Sequence, residues 1–501
     1  MIARARARTD VWSSGVGPAL LGVVAPLASC AVGPDYEPPK PPTVTRYLAT
    51  PDVRETVSAD NPAGPAQRFA SDRDIPAEWW KLFESPALDA LVRQALSDSP
   101  KLAQAEAKLR RAQEELQART GATRYPKIDV GASRNRVGID SDAFKSPAFG
   151  DQFPLTLSLA TVNVSYALDL FGKNRRELEG LRASVDYEQF ELEAARLMLA
   201  GNVVTSAIEE ASLRQQIEAT EAAIAIEAHQ LDMVERLEGL GAVPKLDVVQ
   251  QSGELARTRS TLPALHEGLE RVRHRLAVYL GQPPGEAQLP ELRIADLRLP
   301  TELPLSLPSD LARQRPDIRA AEALLHEASA RVGVAAASFY PQITLSAQAG
   351  GVAIDPLLSG TAGFSLLAAS IAQPLFHAGE LKAEKRMAEA AFDQAGAAYR
   401  EVVLSGLQNV ADILVSLDAD AKTLSERANA TKLAKAAYDI TAKQYETGGV
   451  SLLALLDAQR QYVATSVDET RAMGDRFTDS AALFQALGGG WWSEEGKAPS
   501  R

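Results

Sequence analysis

The chain of 501 residues carries 53 Lys and Arg against 65 Asp and Glu, a net charge of −12, with 46% hydrophobic residues. This acidic balance excludes a basic nucleic-acid binder, and the apolar share is enough for a sizeable core. Length suggests about three domains, but composition is even from end to end, so organisation has to set the count.

Residues 1–29 read as a secretory signal: Arg4, Arg6 and Arg8 form a positive n-region, and Val11 to Leu27 carry no charge. Gly15, Gly17, Pro18, Gly22 and Pro26 interrupt that run, which falls short of the roughly 20 apolar residues a membrane helix needs. Leu27-Ala28-Ser29-Cys30 resembles a bacterial lipobox, which implies cleavage before Cys30 and a covalent N-acyl and S-diacylglycerol lipid on it. Cys30 is the only cysteine, so no intrachain disulfide and no CxxC zinc or redox motif can form. Ala31 stands where lipoproteins kept from the outer membrane often have Asp, so outer-membrane sorting is expected. Residues 30–75 are expected to form a lipidated strap, extended where Pro34, Pro38, Pro39, Pro41 and Pro42 fix φ and remove donors. No stretch after Cys30 reads as long and apolar enough for a membrane helix, so further crossing is expected to use β-strands.

Two halves then carry the same landmarks in the same order. Ser99-Pro100 answers Arg315-Pro316, Tyr125-Pro126 answers Tyr340-Pro341, Leu170-Phe171 answers Leu375-Phe376, Gly172 answers Gly379, and Gly241 answers Gly448. The segment between the Tyr-Pro and Leu-Phe landmarks is longer in the first half, which suggests a variable loop there. In both halves this segment alternates as a β-hairpin, predicted over 127–171 and 342–376. Its sharpest strand puts Ala160, Val162, Val164, Tyr166, Leu168 and Leu170 on one face, with Thr161, Asn163, Ser165 and Asp169 on the other. That pattern fits a membrane barrel strand, apolar outward and polar inward, and also a soluble hairpin with one buried face. The second return strand, Phe364 to Phe376, is less regular.

Proline is absent from Lys173 to Glu238 and from Glu380 to Thr447, where helix formers dominate. Each run would span about 100 Å as a helix, with Leu404, Leu407, Ala411, Leu414 and Leu417 as a coiled-coil seam. Glycines end both runs, so tight helix–helix turns are expected at Gly239 and Gly241 and at Gly448 and Gly449. The predicted organisation is repeat 1 over 76–285, with a helical hairpin at 172–281; an irregular, proline-rich connector over 286–308; repeat 2 over 309–490, with a helical hairpin at 379–487; and a tail over 491–501. Two hairpins supply four strands, while the smallest membrane barrels need about eight, so the chain has to oligomerise to cross a membrane.

Cys30-Ala31-Val32-Gly33-Pro34-Asp35-Tyr36, Trp79-Trp80-Lys81-Leu82-Phe83, Leu168-Asp169-Leu170-Phe171-Gly172, Tyr445-Glu446-Thr447-Gly448, Leu456-Asp457-Ala458-Gln459 and Ala486-Leu487-Gly488-Gly489-Gly490-Trp491 resemble the TolC-like outer-membrane factor family, in its NodT- or OprM-like lipoprotein branch. The resemblance covers essentially the whole chain after Cys30. It implies a mostly α fold with a membrane β-barrel, built as a homotrimer. Twelve strands would form one barrel in outer-membrane lipid, and α-helical coiled coil would continue it as a periplasmic tunnel. It further implies a duct for drugs or other small molecules in a tripartite system, with an inner-membrane RND-type pump, a periplasmic adaptor and an iris-like gate. Carried over by motif, the gate residues are Tyr445, Asp457 and Asp247. Ala454 departs from the pattern, because the family often has a second acid there, and Val450 stands where some members have a basic partner. Three copies of Asp457 around a narrow axis would favour cations, or Asp457 serves only to solvate a helix end. Trp79 and Trp80 are expected to pack against the wall rather than to bind a ligand.

An enzyme is disfavoured: His229, His266, His274, His326 and His377 form no HExxH or i, i+4 pair, and neither a phosphate loop nor GxSxG occurs. No cofactor and no metal site is expected, and the lack of methionine clusters argues against copper or silver handling. A periplasmic adaptor would carry one helical hairpin between β-rich flanks, whereas two hairpins are predicted here.

Overall fold

The computed structural model describes residues 31–49, 54–70, 73–138, 155–355 and 360–492. The signal segment, Cys30, the variable loop over 139–154 and the tail from 493 lie outside the described residues. Two compact units emerge, one comprising Met1–Glu37, Glu114–Ala183 and His326–Gln394, the other Pro38–Gln113, Ser184–Leu325 and Ala395–Arg501.

The first unit holds one antiparallel sheet of four strands, β2 (Lys127–Val137), β3 (Leu155–Leu168), β5 (Gln342–Asp355) and β6 (Ala362–Ala372), in the order β2-β3-β5-β6. Registers align residues of like character across the three strands β2, β3 and β5 at the end near the helices. Ile128, Val164, Ala347 and Leu367 form one row, and Val130, Val162 and Ala349 fall in the next row on the same face. Asp129, Asn163, Gln348 and Leu366 form a row on the opposite face, so at the end of the sheet near the helices one side is apolar and the other mainly polar. Towards the hairpin loops the pattern reverses, with Arg134 and Ser158 on the first side and Leu157, Leu159, Val352 and Ile354 on the second. The apolar side is uncovered within one chain, with Val130 81% and Leu367 83% exposed. The second return strand ends at Ala372, four residues before the expected Phe376. Pro374 has no N–H for a ladder, and Gln373 instead donates through Nε2 to the carbonyl of Phe339 at 2.9 Å.

Helices α1 (Pro86–Asp98) and α2 (Pro100–Arg124) precede the first hairpin, and α5 (Pro308–Gln314) and α6 (Pro316–Ala337) precede the second. Pro100 and Pro316 break each pair, since proline excludes the helical conformation from the residue before it. After the hairpins run α3 (Lys173–Gly239) and α7 (Glu380–Glu446), each of 67 residues, followed by α4 (Lys245–Tyr279) and α8 (Leu452–Ala486), each of 35. Asp169 starts α3, its two carboxylate oxygens accepting from the N–H groups of Asn174 and Arg175 at 3.1 and 2.9 Å. Two sequence expectations change on α7. Its buried stripe is Tyr399, Val403, Gly406, Val410, Leu414, Leu417, Ala421 and Leu424, while Leu404 is 66% exposed. The three- and four-residue spacing that reaches Leu414 and Leu417 passes through Val410 and Val403, leaving Leu404 on the adjoining face. The helix also contains a window of hydropathy 1.3 that would suffice for a membrane span by length and composition, contrary to the expectation that none follows Cys30. Only 22% of that window is buried within the chain.

The core of the second unit gathers around the Trp79–Phe83 turn. Trp79 is fully buried and stacks on Phe484 of α8, with ring centroids 5.4 Å apart, while Phe83 meets Phe477 at 6.2 Å. The 286–308 segment is more ordered than its prolines suggest. Glu302–Pro304 forms β4, paired in parallel with β1 (Arg68–Ala70). Trp491, expected to begin a tail, donates through Nε1 to the Gln314 carbonyl at 2.7 Å.

Candidate gate at the helix turns

Both long helices end by the same local device. Gly241 and Gly448 adopt φ of 73° and 76°, and the next N–H reaches back five residues, Ala242 to the Leu237 carbonyl and Gly449 to that of Gln444. These are Schellman ends, in which the left-handed position favours glycine. Gly239 instead closes α3 itself, and Gly449 follows the left-handed residue. Ser451 caps α8 by accepting from the N–H of Ala454.

The two turns meet in one small apolar cluster. Val234 of α3 is buried with Leu452 and Leu455 of α8, and Val243, Val248, Tyr438, Ala442, Tyr445 and Leu456 pack around them. Tyr445 thereby comes from the second hairpin to the neighbourhood of Asp247, in the first turn of α4. Burial and then the charge of Asp247 push the Tyr445 phenol above its ordinary value. Among the described residues its enclosed hydroxyl has no hydrogen-bond partner. Asp457 is not part of this contact. It lies exposed on α8 and forms an ion pair with Arg460, one helical turn away.

Polar groups that sequence reasoning missed lie buried between the hairpin helices. Glu227 is 2% exposed, accepts from the Thr258 hydroxyl at 2.9 Å and is pushed up by burial. Gln251, fully buried, donates to the Glu227 carbonyl at 2.9 Å, and Gln459 is buried with its side-chain amide unpartnered among the described residues. Tyr438 stacks on Tyr462 with centroids 5.9 Å apart. Seven residues separate Tyr438 from Tyr445, a heptad signal that could have marked the first tyrosine. A buried glutamine or glutamate has no signal that separates it from a solvated one.

A second group of charges joins α7 to α8. Asp420 faces Asp475, Arg476 and Asp479, and its carboxyl is pushed up to about 7 by burial, then by the neighbouring Asp479 and Asp475. The folded chain therefore holds a proton that the unfolded chain releases near pH 4. Stability falls as pH rises from about 4 to about 7 and levels off above that window. Asp420→Asn is expected to raise the thermal midpoint by about 2 °C or more at pH 8 and to leave it unchanged at pH 5, as read by circular dichroism. Equal shifts at both pH values would show that Asp420 is not the titrating group.

The family model for outer membrane efflux proteins matches residues 91–282 and 307–489. The chain belongs to this family. OpmQ, the pyoverdine export outer membrane protein of Pseudomonas aeruginosa, is 32% identical over 430 residues, covering 85% of this chain and 90% of OpmQ. TtgC of Pseudomonas putida, a probable efflux pump outer membrane protein, is 29% identical over 487 residues, covering 94% and 95% of the two chains. Among solved structures, the outer-membrane channel OprN matches with TM-score 0.80 and 28% identity over 92% of this chain and 100% of its own. VceC of Vibrio cholerae matches with TM-score 0.75 and 27% identity over 83% and 100%. As an outer membrane efflux protein, the chain is a transport conduit and not an enzyme. Among the described residues no group of three or more His, Cys, Asp or Glu could hold a metal ion.

Proposed function

We propose that the chain is built of two tandem repeats and works as a homotrimer, whose twelve strands close one barrel in outer-membrane lipid and whose helices form a periplasmic tunnel. The observation that carries this reading is the open four-stranded sheet, with β2 and β6 as unpaired edges within one chain and with one face apolar and the other mainly polar at the end near the helices. Backbone groups at an open edge are too costly in hydrocarbon, so several copies must close the ring, and the family resemblance implies that the number is three. Its strands of 11 and 14 residues are long enough to span a bilayer. Cys30 carries the lipid that holds each N-terminus to the membrane.

The relatives' names span pyoverdine, toluene and antibiotics. That range fits a passive duct whose substrate choice rests with an inner-membrane RND-type pump and a periplasmic adaptor, and drugs or similar small molecules are the assigned cargo. The gate is the joint between the two helix turns. Tyr445, set against Asp247 with its hydroxyl unpaired, loses no hydrogen bond when the hairpins part.

Asp457 contributes a charge ring that Arg460 partly offsets. In planar bilayers the purified protein is expected to give stepwise conductance, with divalent-cation block weakened by Asp457→Ala and strengthened by Arg460→Ala. Block unchanged in both variants would remove Asp457 from the gate, and absence of any conductance would overturn the channel reading.

A further inference from the structure

The sheet of the first unit is fastened at its middle by an aromatic pair, and the same two residue types recur, unpaired, at its two edges. Where β3 leads into α3 and α6 leads into β5, Phe171 stacks on Tyr340 with centroids 4.9 Å apart and an interplanar angle of 25°. Tyr340 stands just before the second hairpin and Phe171 just after the first. The corresponding residues are Tyr125, just before the first hairpin, and Phe376, just after the second. Tyr125 is 67% exposed and Phe376 85% exposed. They flank β2 and β6, which lie three strand spacings apart at opposite edges, roughly 14 Å, too far for the two rings to stack within one chain.

The geometry points to a contact between copies in which Phe376 of one chain stacks on Tyr125 of the next, reproducing the Phe171–Tyr340 pair at every junction of the ring. This rests on the tandem-repeat trimer proposed above and adds the residues that make its junction. Two further observations support it. Gln373 holds the segment before Phe376 to the carbonyl of Phe339, so the ring is presented from an anchored position. The exposed apolar residues at the two edges, Ile128 and Val130 on β2 and Leu367 and Ile371 on β6, share one face, so joining β6 to β2 continues that face unbroken. An offset-stacked pair stabilises beyond its area burial, and a closed trimer has three such junctions.

Exposed aromatic residues near a membrane can instead form an interfacial belt that touches lipid. Cross-linking separates the two. In full-length protein, Tyr125→Cys combined with Phe376→Cys and treated with a short bismaleimide is expected to give dimer and trimer bands on denaturing gels. Neither single variant nor the parent, which retains Cys30, gives such a ladder. Phe171→Cys with Tyr340→Cys reacts within one chain and serves as the reference. A trimer by light scattering that yields no ladder from the 125/376 pair overturns the contact and leaves the belt. A parent protein that is monomeric by light scattering overturns the ring itself. Should the cysteine pair misfold, Phe376→Ala is expected to lower the temperature at which the trimer dissociates in detergent by several degrees, with Phe376→Trp retaining it. An unchanged dissociation temperature in Phe376→Ala overturns the contact.

Discussion

Arg476→Ala is expected to destabilise the helical unit by about 3 kcal/mol, measured by denaturant unfolding, because it takes a buried charged donor away from neutral acceptors. Arg476 has no exposed surface, although it sits on α8 amid charged neighbours. Its guanidinium donates to the Pro65 carbonyl at 2.8 Å, the Thr56 hydroxyl at 3.1 Å and the Gln67 Oε1 at 3.4 Å. Gln67 donates in turn to the Pro300 carbonyl and the Ser480 hydroxyl, both at 2.9 Å. One side chain thus joins α8 to the segment before β1 and, through Gln67, to the segment before β4. Alanine would leave the Gln67 Oε1 and the Pro65 carbonyl without this donor, while the Thr56 hydroxyl keeps the Gln67 N–H at 2.9 Å, and it would remove the charge that partly offsets Asp420. Arg476→Lys is expected to recover only part of the loss, since a single ammonium cannot reproduce the planar fork. A cost under about 1 kcal/mol for Arg476→Ala would mean that the network contributes little to holding these segments together.

Trp79→Ala is expected to cost about 3–5 kcal/mol, for a different reason. The indole is stacked on Phe484 and meets Trp80 and Phe83 edge-on, with centroids at 6.1 and 6.5 Å. Its removal opens a cavity among groups fixed on α8 and the short turn, which cannot collapse independently. Trp79→Phe is expected to cost less, because a ring still faces Phe484. A small loss for Trp79→Ala, accompanied by altered conductance, would point to a functional role for the indole that its burial does not suggest.

Long-range periodicity made the element order legible in the sequence. Proline-free runs bounded by glycine ended within one residue of α3 and α7, since an unbroken helix and its left-handed stop are local properties. Tyr445 and Asp247 were found by motif, but their proximity depends on two hairpins that are far apart in the chain. The predicted seam held at Leu414 and Leu417 but not at Leu404, because the adjoining stripe through Val403 and Val410 is also apolar and tertiary packing decides which is buried. Arg476, Glu227 and Gln251 were missed because a polar residue carries no local mark of burial.

The open edges of β2 and β6 also bear on how the duct enters its membrane. A lone copy would carry two rows of unpaired backbone groups into hydrocarbon, each group costing several kcal/mol. On the trimeric barrel proposed above, insertion and assembly would be one event: copies would meet before or during entry, and a chain without neighbours would stay outside the bilayer. Delivery of new ducts would therefore depend steeply on the local supply of unassembled chains. A variant damaged at a single edge would also hold back the intact copies that joined it.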